Sequence, residues 1–267
     1  MVKPIGLIAG KGLLPVILSR NLRLRGFAVV AITFDRESEQ KMLPEATQTH
    51  CMDVGQASNI IKTFKKAGVK DIALAGKVDK RILFNNPQLD AKALSIIGEL
   101  QAKNDDSLLL AIVNAFEKEG FTILSQVELF RDLVPTVGVL SKRTPDDRER
   151  KDIDFGMKMA KGIASLDIGQ TAIVYDKAVI AVEAIEGTDE AIERAGRVVK
   201  KGAIVCKVSK PNQDPRFDVP VIGVQTIDKM IESGATVIAI EANKTLIVNI
   251  MNTVAKADEK FISIIAI

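Results

Sequence analysis

The sequence predicts an α/β protein made of two domains. In the first half, short apolar runs of strand type alternate with stretches that carry apolar residues at helical spacing, a pattern typical of a doubly wound parallel sheet. In the second half, apolar runs follow one another so closely that antiparallel neighbours are expected. We therefore predict a Rossmann-like domain over residues 1–135 and a mixed α+β domain over residues 136–267.

The N-terminal elements begin with an apolar run at residues 5–9, which ends in glycines and predicts a strand. Apolar residues at helical spacing follow it, and Gly26 is a stop signal for that helix. The remaining predicted elements of this half are strands at 27–33, 71–75 and 121–124 and helices that stop at Gly68 and Gly120. This order is the opening of a doubly wound sheet.

The composition of the chain changes at residues 140–152, where most residues are charged. This stretch predicts a solvated connector or an exposed helix start. Beyond them, the apolar runs 171–175 and 178–185 are separated by Asp176 and Lys177 and predict a hairpin. The runs 236–241 and 245–250 predict a second hairpin on the same reasoning.

Composition excludes several classes of protein. A net charge of +3 and an aromatic content of 4% without tryptophan argue against nucleic-acid binding. With one histidine, His50, and two cysteines, a zinc cluster is not expected, and a bound metal would take oxygen ligands, as magnesium or manganese does. No apolar run is long enough for a membrane span and no signal peptide is recognisable, so we expect a cytoplasmic protein.

Three glycines lie between the first strand and the first helix, at Gly6, Gly10 and Gly12. Glycine lets the backbone approach a phosphate, and the start of a helix favours negative charge. Asp35 follows the second strand, where a dinucleotide site places its ribose-binding acid. The pattern predicts a nucleotide or phosphate contact at Gly10 and Gly12, with a tight strand–helix turn as the alternative.

This glycine spacing resembles that of the short-chain dehydrogenases, which also need Tyr-x-x-x-Lys. The single tyrosine is Tyr175, and the matching position holds Val179. Hydride transfer of that type is therefore excluded.

Acidic residues also stand at two predicted helix starts. Asp105 and Asp106 open one helix, where the helix dipole alone explains them, although a contribution to a metal or phosphate site is the alternative. The other stretch, at the end of a strand, offers a hydroxyl and two carboxylates where α/β sheets place ligands, and helix capping is its alternative. Its residues, predicted to bind substrate, are Glu186, Gly187, Thr188 and Asp189.

The strongest candidate is the loop KPNQDPRFDVP, which prolines 211 and 215 stiffen. It concentrates residue types that bind metals and phosphates: Lys210, Gln213, Asp214, Arg216 and Asp218. A plain surface loop needs charge but not rigidity, whereas a site needs both. We predict Asp214, Asp218 and Arg216 as catalytic, and Lys210 and Gln213 as substrate-binding, with a proline-stiffened surface loop that carries ion pairs as the alternative.

Five blocks, spread in order over nearly the whole chain, resemble the LpxI type of UDP-2,3-diacylglucosamine pyrophosphatase. They are GLIAGKGLLP, LAGKVDK (with Lys77), NDDSLL, LDIGQTAIVYDKAVIAVEAIEGTDEAIERAG and KPNQDPRFDVPVIGVQT. One departure from the family is Asn104, where a glycine is expected.

The resemblance implies that water splits a UDP-sugar with two acyl chains into UMP and lipid X, a step of lipid A biosynthesis. It also implies Mg²⁺, with Mn²⁺ as the alternative, and two domains that close over the ligand. The ligand candidates for the metal are Asp214, Asp218 and Asp189, and which carboxylate holds metal and which orients water stays open. Lys77 joins the substrate-binding candidates on this resemblance.

The expected ligands are UDP-2,3-diacylglucosamine and lipid X. We also expect peripheral contact with the inner-membrane surface, and a second copy of the chain in a homodimer. Two alternatives remain open: a nucleotide-sugar hydrolase that acts on an unacylated substrate, and a nucleotide-binding protein without catalysis.

Overall fold

The computed structural model describes residues 2–77, 89–98 and 105–267, together with the backbone but not the side chains of Asp105 and Asp106. The end of the LAGKVDK block after Lys77, Asn104 and the two aspartate side chains therefore lie outside the described residues. The chain forms two compact units, Met1–Leu129 and Phe130–Ile267.

The N-terminal unit contains a parallel sheet with the strand order β3-β2-β1-β4-β5. Its strands are β1 Pro4–Ala9, β2 Ala28–Thr33, β3 Gln48–Cys51, β4 Asp71–Ala75 and β5 Thr122–Ile123. Its helices are α1 Leu14–Leu24, α2 Arg36–Met42, α3 Ala57–Lys66, α4 Ala91–Gly98, α5 Asp105–Lys118 and α6 Gln126–Leu129. The predicted parallel α/β sheet is confirmed.

The pattern of buried residues explains this architecture. The inner strands β1, β2 and β4 are apolar on both faces because helices cover both sides of a parallel sheet. Three phenylalanines, Phe64, Phe116 and Phe121, pack edge to face or tilted between α3, α5 and the sheet, with ring centroids 5.9 to 6.5 Å apart.

The C-terminal unit contains a mixed sheet with the order β6-β13-β11-β9-β7-β8 and a separate parallel pair, β10 with β12. Its strands are β6 Gly138–Val139, β7 Thr171–Tyr175, β8 Ala178–Val182, β9 Ile204–Lys207, β10 Val221–Ile222, β11 Val237–Ile240, β12 Leu246–Ile247 and β13 Ser263–Ala266. Its helices are α7 Asp147–Ser165, α8 Thr188–Val198, α9 Val224–Ser233 and α10 Ile250–Glu259, with a 3₁₀ turn at Arg131–Leu133.

One of the two predicted hairpins is confirmed and the other is wrong. β7 and β8 pair antiparallel across the turn at Asp176 and Lys177. β11, however, pairs parallel with β9 on one side and with β13 on the other. Both of its edges are therefore filled, and the next run, β12, pairs with β10 instead.

The charged stretch at residues 140–152 leads into the first turns of α7, so it is a helix start, one of the two forms predicted. Asp146 caps α7 through a capping box with Glu149. Glu149, only 2% exposed, accepts two hydrogen bonds of 2.7 Å from the Arg143 guanidinium. The same guanidinium donates to Ser263 and to the Thr236 carbonyl, at the amino ends of β13 and β11. This ion pair, whose carboxylate is buried, thus joins the start of α7 to the amino ends of β11 and β13.

Each unit contains one of the two cysteines. Cys51 ends β3 and is partly exposed, whereas Cys206 lies in the middle of the C-terminal core. A Cβ on Gly156 of α7 would lie 2.5 Å from the Cys206 Sγ, so helix and strand touch there. Burial raises the pKa of the Cys206 thiol far above its ordinary value.

Candidate functional site

Both segments favoured by the sequence leave the same edge of the C-terminal sheet. β7 runs antiparallel to both β8 and β9, so β8 and β9 point the same way, and β11 is parallel to β9. The stretch at residues 186–189 follows β8, and the proline loop follows β9. Carboxyl ends of strands are where α/β sheets bind ligands.

The stretch at residues 186–189 forms the start of α8. Gly187 caps the helix with a φ of +90°, a conformation that favours glycine. Thr188 donates its hydroxyl proton to Glu183 at 2.8 Å, and Glu186 pairs with Arg194. Asp189 lies in the first helical turn, where the helix dipole favours its charge.

A buried lysine, Lys207, contacts the start of α8. Lys207, the last residue of β9, has a side chain that is only 4% exposed. Its Nζ lies 2.8 Å from Thr188 Oγ1, 3.3 Å from Thr171 Oγ1 and 3.6 Å from Glu183 Oε2. Burial by itself raises the pKa of the Glu183 carboxyl, but the Lys207 charge and threonine hydroxyls outweigh it and lower that pKa.

Sequence reasoning missed Lys207 and Glu183. Lysine and glutamate are rarely buried, and within a single sequence each looks like an ordinary surface residue. The available signal was positional: Lys207 interrupts an apolar run, AIVCKV, whose other residues are all buried.

The proline loop is ordered by its own charges. Asp214 accepts hydrogen bonds from the backbone N–H and Nε of Arg216 at Oδ1, both at 2.9 Å. At Oδ2 it accepts from Nε at 3.1 Å and from an Nη at 2.6 Å. The Arg216 guanidinium lowers the pKa of the Asp214 carboxyl, which is therefore ionised at neutral pH.

The other predicted residues of this loop lie at its base and its far end. Lys210 pairs with Asp167 at 2.6 Å, and Gln213 donates to the carbonyl of the buried Phe217 at 3.2 Å. Asp218 is exposed and has a φ of +52°. The buried phenylalanine therefore anchors the return of the loop while Asp218 faces solvent.

A third residue that sequence reasoning missed, Glu241, holds the start of this loop. It follows β11, and its Oε2 accepts from the Ser209 N–H at 2.9 Å and from Lys161 at 2.6 Å. Its Oε1 accepts from Lys244 at 2.7 Å. Because Ser209 directly precedes Lys210, this carboxylate fixes the direction in which the loop leaves the sheet.

In the N-terminal unit, Gly10 lies where two turns touch. Lys11 and Lys77 exchange backbone hydrogen bonds of 2.7 and 3.0 Å, and a Cβ on Gly10 would lie 2.5 Å from the Lys77 carbonyl oxygen. Gly12 has a φ of +103°, and a Cβ added there would meet nothing within 4 Å, so its substitution strains the backbone without a clash. Asp35 caps α2 by accepting from the Ser38 N–H and hydroxyl.

The side chains that the structure describes form no ready metal site. Across residues 2–77, 89–98 and 107–267, no group of three or more His, Cys, Asp or Glu side chains is placed to hold a metal ion. Both oxygens of Asp214 already accept from Arg216. The predicted ligand set of Asp214, Asp218 and Asp189 is thus not assembled in this conformation. Magnesium binding by it stays a prediction.

Comparison with protein families matches both units. The family model of the LpxI N-terminal domain matches residues 4–133, and that of the LpxI C-terminal domain matches residues 136–265. A UDP-2,3-diacylglucosamine pyrophosphatase LpxI from Caulobacter vibrioides is 34% identical over 271 residues, which cover 97% of this chain and 95% of the relative.

Solved structures give only weak likenesses. The biotin carboxylase domain of the Hydrogenobacter thermophilus 2-oxoglutarate carboxylase is 16% identical with a TM-score of 0.29, and covers 67% of this chain and 36% of its own. The biotin carboxylase subunit of pyruvate carboxylase is 14% identical, also with a TM-score of 0.29, and the match covers 78% of this chain and 38% of that subunit. Likenesses at this level carry no argument about function.

Proposed function

The chain belongs to the LpxI family, and we propose that it hydrolyses UDP-2,3-diacylglucosamine to UMP and 2,3-diacylglucosamine 1-phosphate, lipid X. The observation that carries the proposal is the 34% identity to an LpxI pyrophosphatase over 97% of the chain. The reaction is a hydrolytic step of lipid A biosynthesis.

The chemistry requires little from the protein beyond position and charge. The oxygen of water bonds to one phosphorus and gives up a proton to the solvent. The bond from that phosphorus to the bridging oxygen breaks, and the second phosphate leaves with the bridging oxygen. Negative charge grows on the phosphoryl oxygens as this happens, and cations stabilise it. Arg216 and Lys210 are the proposed cations, and Asp214, ionised at neutral pH, is the proposed group that orients the water.

Magnesium is a separate proposal. When bound, it would neutralise the phosphates, but the carboxylates of the described residues form no ready site. We therefore route no step through it, and we assign the proposed ligands Asp214, Asp218 and Asp189 only as donors of the right oxygen chemistry. Substrate contacts at Gly10, Gly12, Lys77, Gln213 and residues 186–189 are proposals of the same kind.

Location and assembly are also proposals. Across the described ranges, no helix combines the length and the hydropathy of a membrane span. An acylated substrate nonetheless resides in a bilayer, so we propose reversible contact with the inner-membrane surface from the cytoplasm. High-salt washing of membranes should release the protein, and sedimentation of the purified chain distinguishes a homodimer from a monomer.

The test is incubation of the purified protein with UDP-2,3-diacylglucosamine and magnesium, with UMP and lipid X both quantified by mass spectrometry. Equimolar release of the two products supports the proposal. The unacylated parent UDP-sugar serves as the control, and faster turnover of it would favour a general nucleotide-sugar hydrolase. Tight UDP binding with no product after long incubation would refute catalysis and favour a binding protein.

A further inference from the structure

Two ion pairs of the C-terminal unit have a buried carboxylate, Glu149 in one and Glu183 in the other, and they lie at opposite ends of the strands. Arg143 and Glu149 fasten the amino ends of β11 and β13. Lys207 and Glu183 stand at the other edge, at the carboxyl ends of β9 and β8. Ligands of α/β sheets bind at the carboxyl edge, so only the second pair is placed to serve a site.

A buried ion pair is weak evidence of stabilisation, because desolvation of the two charges offsets most of their attraction. Apolar side chains of similar size would fill the same space at similar stability. The pair between Lys207 and Glu183, with side chains 4% and 11% exposed, therefore calls for another explanation.

The contacts of the pair supply that explanation. The Lys207 Nζ joins Thr171, at the start of β7, to Thr188, at the start of α8. The Thr188 hydroxyl accepts from Lys207 and donates its proton to Glu183. One ammonium thus fixes the first turn of α8, which carries Asp189, against the edge of the sheet.

We infer that Lys207 is a positioning residue that, with Glu183, holds residues 186–189 in the geometry that binds substrate. The inference rests on the proposed function and adds to it a residue that need not touch the ligand. The Thr188 hydroxyl donates its proton to Glu183 and therefore does not donate it to a phosphate. Thr188 instead contributes by holding the first turn of α8 in place.

The test compares Lys207→Met with Arg143→Met, because each removes the cation from one buried carboxylate. Both variants should melt below the wild type. For Lys207→Met we expect the KM for UDP-2,3-diacylglucosamine to rise at least tenfold while kcat falls less than about fivefold. For Arg143→Met we expect a KM within twofold of the wild type.

Glu183→Leu combined with Lys207→Met provides the second variant, because it leaves no unpaired charge buried and should fold where the single variant does not. Its KM should also rise at least tenfold. A wild-type KM in this double variant would overturn the inference, and so would an equal rise in Arg143→Met. Failure of the proposed function is distinct, since the wild-type protein would then release no UMP.

Discussion

Asp214→Asn separates two roles of the proline loop, its shape and its negative charge. The asparagine retains an oxygen that can accept the two hydrogen bonds now made at Oδ1, from the Arg216 N–H and Nε. It loses the two at Oδ2 and the carboxylate charge. If the charge orients water or holds a metal, turnover should fall at least about a hundredfold although the loop keeps its turn.

The magnitudes follow from the exposure of the pair. A hundredfold loss of rate corresponds to about 2.7 kcal/mol of transition-state stabilisation. The side chains of Asp214 and Arg216 are 20% and 24% exposed, so the lost ion pair should cost only about 1 kcal/mol of folding free energy. That corresponds to a fall in melting temperature of about 2–4 °C. Activity and stability are thus expected to separate clearly.

The assay is UMP release at saturating substrate and magnesium, alongside a melting curve. Asp167→Asn is the matched control, because Asp167 pairs with Lys210 at the base of the same loop but is 42% exposed. It should keep activity within about threefold, as expected of a surface ion pair. Near-normal turnover of a folded Asp214→Asn protein would refute a role for the charge and leave Asp214 as a loop-ordering residue.

Three further predictions concern other parts of the molecule. Burial alone would raise the pKa of Glu241, but its lysine partners outweigh burial and lower the pKa below the ordinary 4.5. The ionised Glu241 carboxylate therefore contributes its full stabilisation of the fold above pH 4.5, and this contribution is lost in stronger acid. Chemical denaturation should show Glu241→Gln to be less stable than the wild type by about 1–3 kcal/mol at neutral pH, a difference that shrinks as the pH falls below the ordinary pKa of glutamate. Gly10→Ala should lower the melting temperature, because its Cβ would lie 2.5 Å from the Lys77 carbonyl, whereas Gly162→Ala, with nothing within 4 Å, should not. Treatment with EDTA should abolish UMP release and added Mg²⁺ or Mn²⁺ should restore it; full activity in EDTA would contradict metal dependence.

The fold of the N-terminal unit could be predicted because its signals are local. Apolar runs and stop glycines mark β1, β2 and β4 directly. In the C-terminal unit, local signals gave the β7–β8 hairpin but not the neighbours of β11. Each strand can pair on two sides. The strands that pair with β11 are β9 and β13, which lie far from it in the sequence, so no local signal identifies them. Two-residue strands such as β10 are too short to show any period.

The candidate site could be predicted in part for a similar reason. Residues 186–189 and the proline loop combine unusual residue types within a few positions, so they stand out in one sequence. Lys207, Glu183 and Glu241 contact partners that are distant in the sequence, and these contacts form only when β8, β9 and β11 lie in one sheet. The metal ligands stay a prediction, because the described carboxylates are not grouped here.

The placement of one cysteine in each unit gives the protein a built-in pair of chemical reporters. The partly exposed Cys51 should accept a maleimide dye under native conditions, whereas Cys206, wholly buried with a raised pKa, should not. Because Cys206 is buried where α7 packs on β9, a thiol reagent should reach it only when the two separate. The rate at which the reagent modifies Cys206 therefore measures the opening of the C-terminal core. Opening of that unit can therefore be timed in the intact chain, without an introduced label.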